Sequence, residues 1–96
     1  MTEIPISRLI QALLNKGFER VETHHIMLWF VVKGTRTPIH TWVSHGQRKA
    51  DDWLIGRIAK EIHLSKRELL RLVECEISRE EYIRLLEQRG RLRPLS

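Results

Sequence analysis

Residues 25–44 read HIMLWFVVKGTRTPIHTWVS, and this stretch decides the fold. Seven apolar residues follow His25 without a breaker, as is typical of a strand. A polar turn that contains Gly34 comes next, and residues 37–44 predict a second strand. Pro38, near the start of that strand, has no backbone N–H and fits an edge or entry position. The stretch therefore predicts a β-hairpin.

The segments on either side of the hairpin extend this pattern. Residues 18–23 alternate enough to predict a short strand, and three strands with short connections predict an antiparallel meander. Before them, apolar residues recur at helical spacing over residues 6–16, and Gly17 is expected to end that helix in a left-handed conformation. After the hairpin, Asp51 and Asp52 are expected to begin a second helix, because carboxylates suit the positive end of a helix.

Two capping boxes mark the C-terminal third of the chain. Ser65 with Glu68, and Ser78 with Glu81, have the spacing that satisfies the free N–H groups at the start of a helix. The order of elements is then a helix, three strands, a helix and two further short helices. We predict an α+β protein, an α-β-β-β-α domain with a three-stranded antiparallel sheet plus two short C-terminal helices.

The length of 96 residues predicts a single domain. We expect residues 1–64 to form its core, residues 65–90 a C-terminal helical extension and residues 91–96 a tail. No apolar run is long enough to cross a bilayer, and the start of the chain lacks the regions of a signal peptide. Cys75 is the single cysteine, so no internal disulfide forms, and we expect a cytoplasmic protein with a buried, structural thiol.

The net charge of +5 is distributed unevenly along the chain. Residues 23–50 contain no Asp or Glu. The same stretch holds eight basic or titratable side chains: Lys33, Arg36, Arg48, Lys49, His24, His25, His40 and His45. This middle region favours a polyanionic partner. We expect no zinc site, because neighbouring histidines on a strand point to opposite faces and no acid lies close in sequence.

The two faces of the predicted sheet differ in character. Alternation places Leu28 and Phe30 on the core side and Trp29 on the other, which Trp42 is expected to share. His24 falls on the core side, so we expect it to pack and not to react. Three interpretations of the tryptophan face are ranked in order: the two C-terminal helices cover it, a partner covers it, or bases stack on it.

Two short motifs resemble the HicA toxin family. A first helix ends near residues 15–18, NKGF, and residues 22–25, ETHH, open the second predicted strand. A glycine-containing hairpin turn, a basic loop at residues 45–49 that includes His45 and Lys49, and a closing helix complete a resemblance that covers residues 9–64. Family members usually carry Gly-Ser-His-His or Gly-Ser-Asn-His at the second motif, so Glu22 and Thr23 depart from the pattern.

The resemblance implies a double-stranded-RNA-binding-like fold and a metal-independent ribonuclease that cleaves messenger RNA. It also implies a HicB-like antitoxin protein as the silencing partner, and His25 as the catalytic residue. We expect His45 to be the second catalytic group, because the meander brings the end of the third strand towards the start of the second. An imidazole that titrates near neutral pH can take the proton of the RNA 2′-hydroxyl, so no cofactor is needed.

Four cations of the acid-free region are the expected RNA contacts: Lys33, Arg36, Arg48 and Lys49. Two other functions stay open. One alternative is a non-catalytic RNA-binding module, and the other is a protein-interaction domain that uses Trp29 and Trp42. Membranes are not expected as partners, and a homo-oligomer stays open as an alternative.

Overall fold

The computed structural model of the chain describes residues 3–93. In chain order its elements are β1 (Ile4–Pro5), α1 (Ile6–Asn15), β2 (Phe18–Glu22), β3 (Ile26–Val32), β4 (Thr35–Val43), β5 (Lys49–Ala50), α2 (Asp52–Glu61), α3 (Lys66–Val73) and α4 (Arg79–Gln88). The predicted α+β class is confirmed, with the α-β-β-β-α order, the three-stranded antiparallel sheet and two C-terminal helices. From residue 94 onward, the tail predicted at residues 91–96 lies outside the described residues.

The main sheet has the strand order β2-β3-β4, and both pairs are antiparallel. The turn between β3 and β4 contains only Lys33 and Gly34, whose φ angles are 51° and 75°. Two positive φ values are what a type I′ turn of two residues requires, and its twist matches that of the strands. The predicted turn at residues 33–36 is therefore too long by two residues, since Thr35 already pairs with Val32.

An irregularity in the pairing of β3 with β4 shifts the register by two residues. Trp29 lies opposite His40, whereas Val31 lies opposite Arg36. The Thr37 hydroxyl donates to the Phe30 carbonyl at 2.8 Å, so a side chain replaces a lost backbone partner. A bulge on an edge strand is also where a proline is tolerated, which confirms the edge position predicted for Pro38.

A second, two-stranded sheet joins the N-terminus to the segment after β4. Ile4 pairs with Ala50 and Pro5 with Lys49, and Ile6 N–H donates to the Arg48 carbonyl at 2.8 Å. The prediction that Lys49 belongs to a loop is therefore wrong. Two-residue strands carry no alternation of their own, so only the tertiary fold reveals them.

The two C-terminal helices pack on the same sheet face as α1. The ring of Tyr82 in α4 lies 4.9 Å from Phe30 and 5.9 Å from Phe18, both on the core side. Three leucines of α3 and α4 are fully buried in the same apolar cluster: Leu69, Leu72 and Leu86. The first-ranked interpretation, in which these helices cover the tryptophan face, is wrong, because their apolar side chains fill the opposite face.

The starts of the last three helices agree with their sequence signals. Asp51 caps α2 by accepting from Leu54 N–H at 2.9 Å, and both predicted capping boxes form, at Ser65 and at Ser78. The burial predicted for Cys75 is wrong, because this residue turns outward at a φ of 63° just after α3. Within residues 3–93, none of the helices is long and apolar enough to span a membrane.

Candidate functional site

The turn between β2 and β3 presents two histidines to solvent. Thr23 N–H donates to the His25 carbonyl at 2.9 Å, which closes a tight turn with His24 at its tip. Both histidines are exposed. The prediction that His24 packs toward the core is wrong, because β3 begins only at Ile26 and the strand alternation does not reach back to His24.

The imidazole of His25 rests on an indole. Its ring centroid lies 4.3 Å from that of Trp42, with an angle of 30° between the planes. Trp42 belongs to β4 and pairs with Met27, the second residue of β3. His25 therefore lies on the tryptophan face of the sheet, and packing against Trp42 restricts the orientations of its ring.

His45 lies against the turn that carries His25. Its Nε2 is 3.2 Å from the backbone oxygen of Thr23, two residues before His25. Because a carbonyl oxygen only accepts, this contact needs a proton on Nε2. In the neutral ring the remaining nitrogen, Nδ1, is then the one with a free lone pair. The loop after β4 and the turn before β3 thus bring both predicted catalytic residues to one end of the sheet.

The indole of Trp42 is itself fixed from the side of α2. The guanidinium carbon of Arg57 lies 4.0 Å from the ring centroid, and its Nη2 donates to the Trp42 backbone oxygen at 2.8 Å. Glu61 accepts from Arg57 at 2.9 Å and from the hydroxyl of Thr41 at 2.7 Å. Sequence reasoning missed Arg57 and Glu61, because their spacing of four residues is common on helices and does not reveal a neighbouring strand.

A second ring cluster of the same kind lies farther along the sheet. The rings of Trp29 and His40 stack with centroids 4.3 Å apart, and the guanidinium carbon of Arg36 is 5.1 Å from the Trp29 centroid. Arg36 also binds Glu19 at 2.6 Å. His40 Nδ1 lies 2.9 Å from the backbone oxygen of Pro38, so this nitrogen carries the proton.

These side chains belong to one surface, which we call the open face. It consists of the residues of β2, β3 and β4 that point away from the four helices: Glu19, Val21, Met27, Trp29, Val31, Arg36, His40 and Trp42. The aromatic and cationic contacts made to its two indoles come from His25, Arg57, His40 and Arg36. The open face is thus built of rings interleaved with guanidinium groups.

The four predicted RNA contacts divide into two groups. Lys33 and Arg36 lie at the hairpin end of the sheet, whereas Arg48 and Lys49 follow the loop of His45 at the histidine end. All four are exposed, although Arg36 is bound to Glu19 and the ammonium of Lys49 is 3.9 Å from a Glu3 oxygen. The seven residues of β3 span about 20 Å between the histidine end and the hairpin end of the sheet, at ~3.4 Å for each residue.

Trp53 is a further exposed aromatic that sequence reasoning did not single out. It is the second residue of α2 and is 74% exposed, although it lies outside the open face. Its spacing from the apolar side of α2 already places it on the outer side of that helix. In the part of the chain that the structure describes, no three His, Cys, Asp or Glu side chains gather to hold a metal ion.

The two ends of the sheet thus carry different chemistry, with exposed imidazoles at one end and Lys33 with Arg36 at the other. Two aromatic clusters lie between them on the open face. Compared with protein-family models, with curated proteins and with solved structures, the chain matches none of them.

Proposed function

We propose that this protein is a metal-independent ribonuclease of the HicA toxin type, which cleaves messenger RNA by histidine acid–base catalysis. The observation that carries the proposal is the placement of two exposed imidazoles at one end of the sheet. His25 is held against Trp42, and His45 is hydrogen-bonded to the turn that carries His25. Arg48, which ends the loop that holds His45, and Lys49 in β5 are both exposed and supply positive charge for a phosphate.

The chemistry needs two proton transfers and no metal. A base takes the proton of the 2′-hydroxyl, and the 2′-oxygen attacks the phosphorus to form a cyclic phosphate. As the bond to the 5′-oxygen breaks, an acid gives that oxygen a proton. The engaged Nε2 of His45 leaves Nδ1 as its basic nitrogen, which supports His45 as the proton acceptor. Proton donation then belongs to His25, and the neighbouring cations stabilise the charge on phosphorus.

An active messenger-RNA nuclease in the cytoplasm would harm its own cell. The proposal therefore includes a cytoplasmic location and a HicB-like antitoxin that blocks the histidine end. The location rests on the single cysteine, Cys75, and the antitoxin rests on the resemblance of residues 22–25 and His45 to the family motifs. The antitoxin is expected to contact the turn that holds His25, because covering this turn denies RNA access to the imidazole.

A non-catalytic RNA-binding module is the second candidate. The observation that favours it is the open face itself, where Trp29 and Trp42 are only half-buried beside guanidinium groups. Exposed rings next to cations bind nucleic acid without any acid–base chemistry.

The test compares purified wild-type protein with His25→Ala and His24→Ala. Each protein is incubated with an end-labelled messenger RNA in a buffer that contains EDTA, and the rate of cleavage is measured. His24→Ala is the matched control, since it removes an adjacent exposed imidazole that lacks the Trp42 contact. We expect His25→Ala to lose roughly 10²-fold or more in rate, as removal of a general acid or base does. The control should cleave like the wild type.

Two results would contradict the ribonuclease. One is a wild-type protein that binds the RNA but leaves it intact, which favours the binding module. The other is a His25→Ala protein that cleaves at the wild-type rate. In the cell, we expect controlled expression of wild type or of His24→Ala to arrest growth. Expression of His25→Ala should not.

A further inference from the structure

We infer that the open face is a track for single-stranded RNA, on which unpaired bases stack at the Trp42 and Trp29 clusters. The inference rests on the proposed function in taking RNA as the ligand, but it does not need the strand to be cleaved. In each cluster the centroid of an imidazole lies 4.3 Å from that of an indole, and a guanidinium carbon lies 4.0 or 5.1 Å from the same indole. These are the side-chain types on which unpaired bases stack in RNA-binding proteins.

The spacing of the two clusters suits one base on each. Trp42 pairs with Met27, and His40 pairs with Trp29, so the two rows are separated by two residues along the strands. At ~3.4 Å for each residue this separation is about 7 Å. An extended strand therefore lays successive bases on the two rows, much as the open four-stranded sheets of some RNA-binding domains stack two or three bases.

The charges around the open face complement a polyanion. Glu19 is the acid of this face, and its carboxylate is already bound to Arg36 at 2.6 Å. The β3 and β4 strands themselves contain no Asp or Glu. Lys33 is exposed in the turn at one end of the track, and the exposed Arg48 follows the loop of His45, which contacts the turn at the other end. A strand that reaches both ends must cross the rings between them.

The same features disfavour two other occupants. A duplex keeps its bases stacked inside the helix and is recognised by its shape and its 2′-hydroxyl groups, so the rings would have no partner. A permanent protein partner is expected to meet a mostly apolar surface, whereas here Arg36 and Arg57 lie over the indoles.

The track also predicts where the strand is cut. His25 belongs both to the Trp42 cluster and to the proposed catalytic pair. A base stacked at the Trp42 cluster brings its own phosphate close to His25, and the next base then lies at Trp29. We therefore expect the cut beside the nucleotide on Trp42, with the strand continuing over the sheet towards Lys33.

The experiment measures binding of a fluorescent 2′-O-methyl oligonucleotide, which has no free 2′-hydroxyl and is not cleaved. Full-length wild type is compared with Trp29→Ala, Trp29→Phe and Trp53→Ala. Trp53→Ala removes an exposed tryptophan that lies outside the open face. We expect Trp29→Ala to weaken binding roughly 5- to 100-fold, the loss seen for one stacked base. Trp29→Phe should restore most of the affinity, and the control should stay within about twofold.

Separate outcomes decide the two proposals. Circular dichroism checks that Trp29→Ala is folded. If the folded variant binds the single strand as tightly as wild type, the track is refuted, and this holds even if His25→Ala abolishes cleavage. Stronger binding of a duplex of the same length than of the single strand refutes it as well. If Trp29→Ala loses affinity and wild type cleaves no RNA, the track stands and the ribonuclease falls. If wild type binds no oligonucleotide, both fall and the open face belongs to a protein partner.

Discussion

Replacing Tyr82 by Phe tests whether α4 is part of the core, because the change removes one oxygen and leaves the ring. The Tyr82 side chain is fully buried, and its hydroxyl donates to the backbone oxygen of Ile62 at 2.9 Å. A typical hydrogen bond contributes about 1 kcal/mol, and the buried carbonyl left without its donor raises the loss to about 2 kcal/mol. For a domain of this size each kcal/mol lowers the melting temperature by roughly 4–8 °C.

Removing the whole ring has a larger effect. Tyr82 touches Phe18 and Phe30 across the interface between α4 and the sheet. Truncation of a buried aromatic to Ala costs about 3–5 kcal/mol, which is a large share of the ~5–15 kcal/mol that stabilises a small domain. Tyr82→Ala is therefore expected to be partly unfolded at 37 °C.

The assay is urea unfolding followed by far-ultraviolet circular dichroism at pH 7, with the midpoint as readout. Trp53→Phe is the matched control, since it also exchanges an aromatic residue for Phe at a position that is 74% exposed, and its effect should stay within about 0.5 kcal/mol. Burial raises the pKa of the Tyr82 hydroxyl, so its stabilising effect is present below about pH 10 and is lost above it. The difference in urea midpoint between wild type and Tyr82→Phe should therefore narrow above about pH 10. Equal midpoints of wild type and Tyr82→Phe at pH 7 would refute the contribution assigned to the hydrogen bond with Ile62.

Three further predictions concern stability. Burial and the neighbouring arginines lower the pKa of His63, so the folded state loses stability as the pH falls below about 6.5. Asn tolerates the φ of 65° at this position, so His63→Asn should fold. In this variant the urea midpoint should change less between pH 7 and pH 5 than it does in wild type. The hydrogen bond from Arg89 lowers the pKa of Glu68, so Glu68→Gln should lose about 0.5–1 kcal/mol at pH 7. The difference from wild type should shrink as the pH falls below the ordinary value of 4.5, and thermal melts at neutral and acidic pH measure it. Gly17→Ala should lose about 1–2 kcal/mol because φ is +102°, while the same change at Gly56, inside α2, should be neutral or stabilising.

Local signals in the sequence predicted local structure well. The caps at Ser65 and Ser78 depend on residues three positions apart, so a short window contains the whole interaction. The hairpin was also predicted correctly, because Gly34 lies in a polar turn between two segments of strand-forming residues. Its length was not, since the sequence does not show that Lys33 adopts a left-handed conformation.

Properties set by the tertiary fold escaped sequence reasoning. Which sheet face the last two helices cover depends on where Tyr82 meets Phe30, and those residues are 52 positions apart. The anchoring of Trp42 by Arg57 joins a strand to a helix through a backbone oxygen, which no side-chain pattern reveals. The family motif predicted His25 and the topology of the meander predicted His45, and the chemical role of both stays a prediction.

The irregular edge of β4 has a consequence for self-association. An exposed strand edge recruits other chains unless it is blunted, and the register shift, Pro38 and the guanidinium of Arg57 on the Trp42 carbonyl each interrupt this one. A neighbouring molecule thus finds no continuous ladder of free backbone groups along β4. The hairpin therefore keeps two tryptophans half-exposed without offering an unbroken edge on which strands of other molecules could pair.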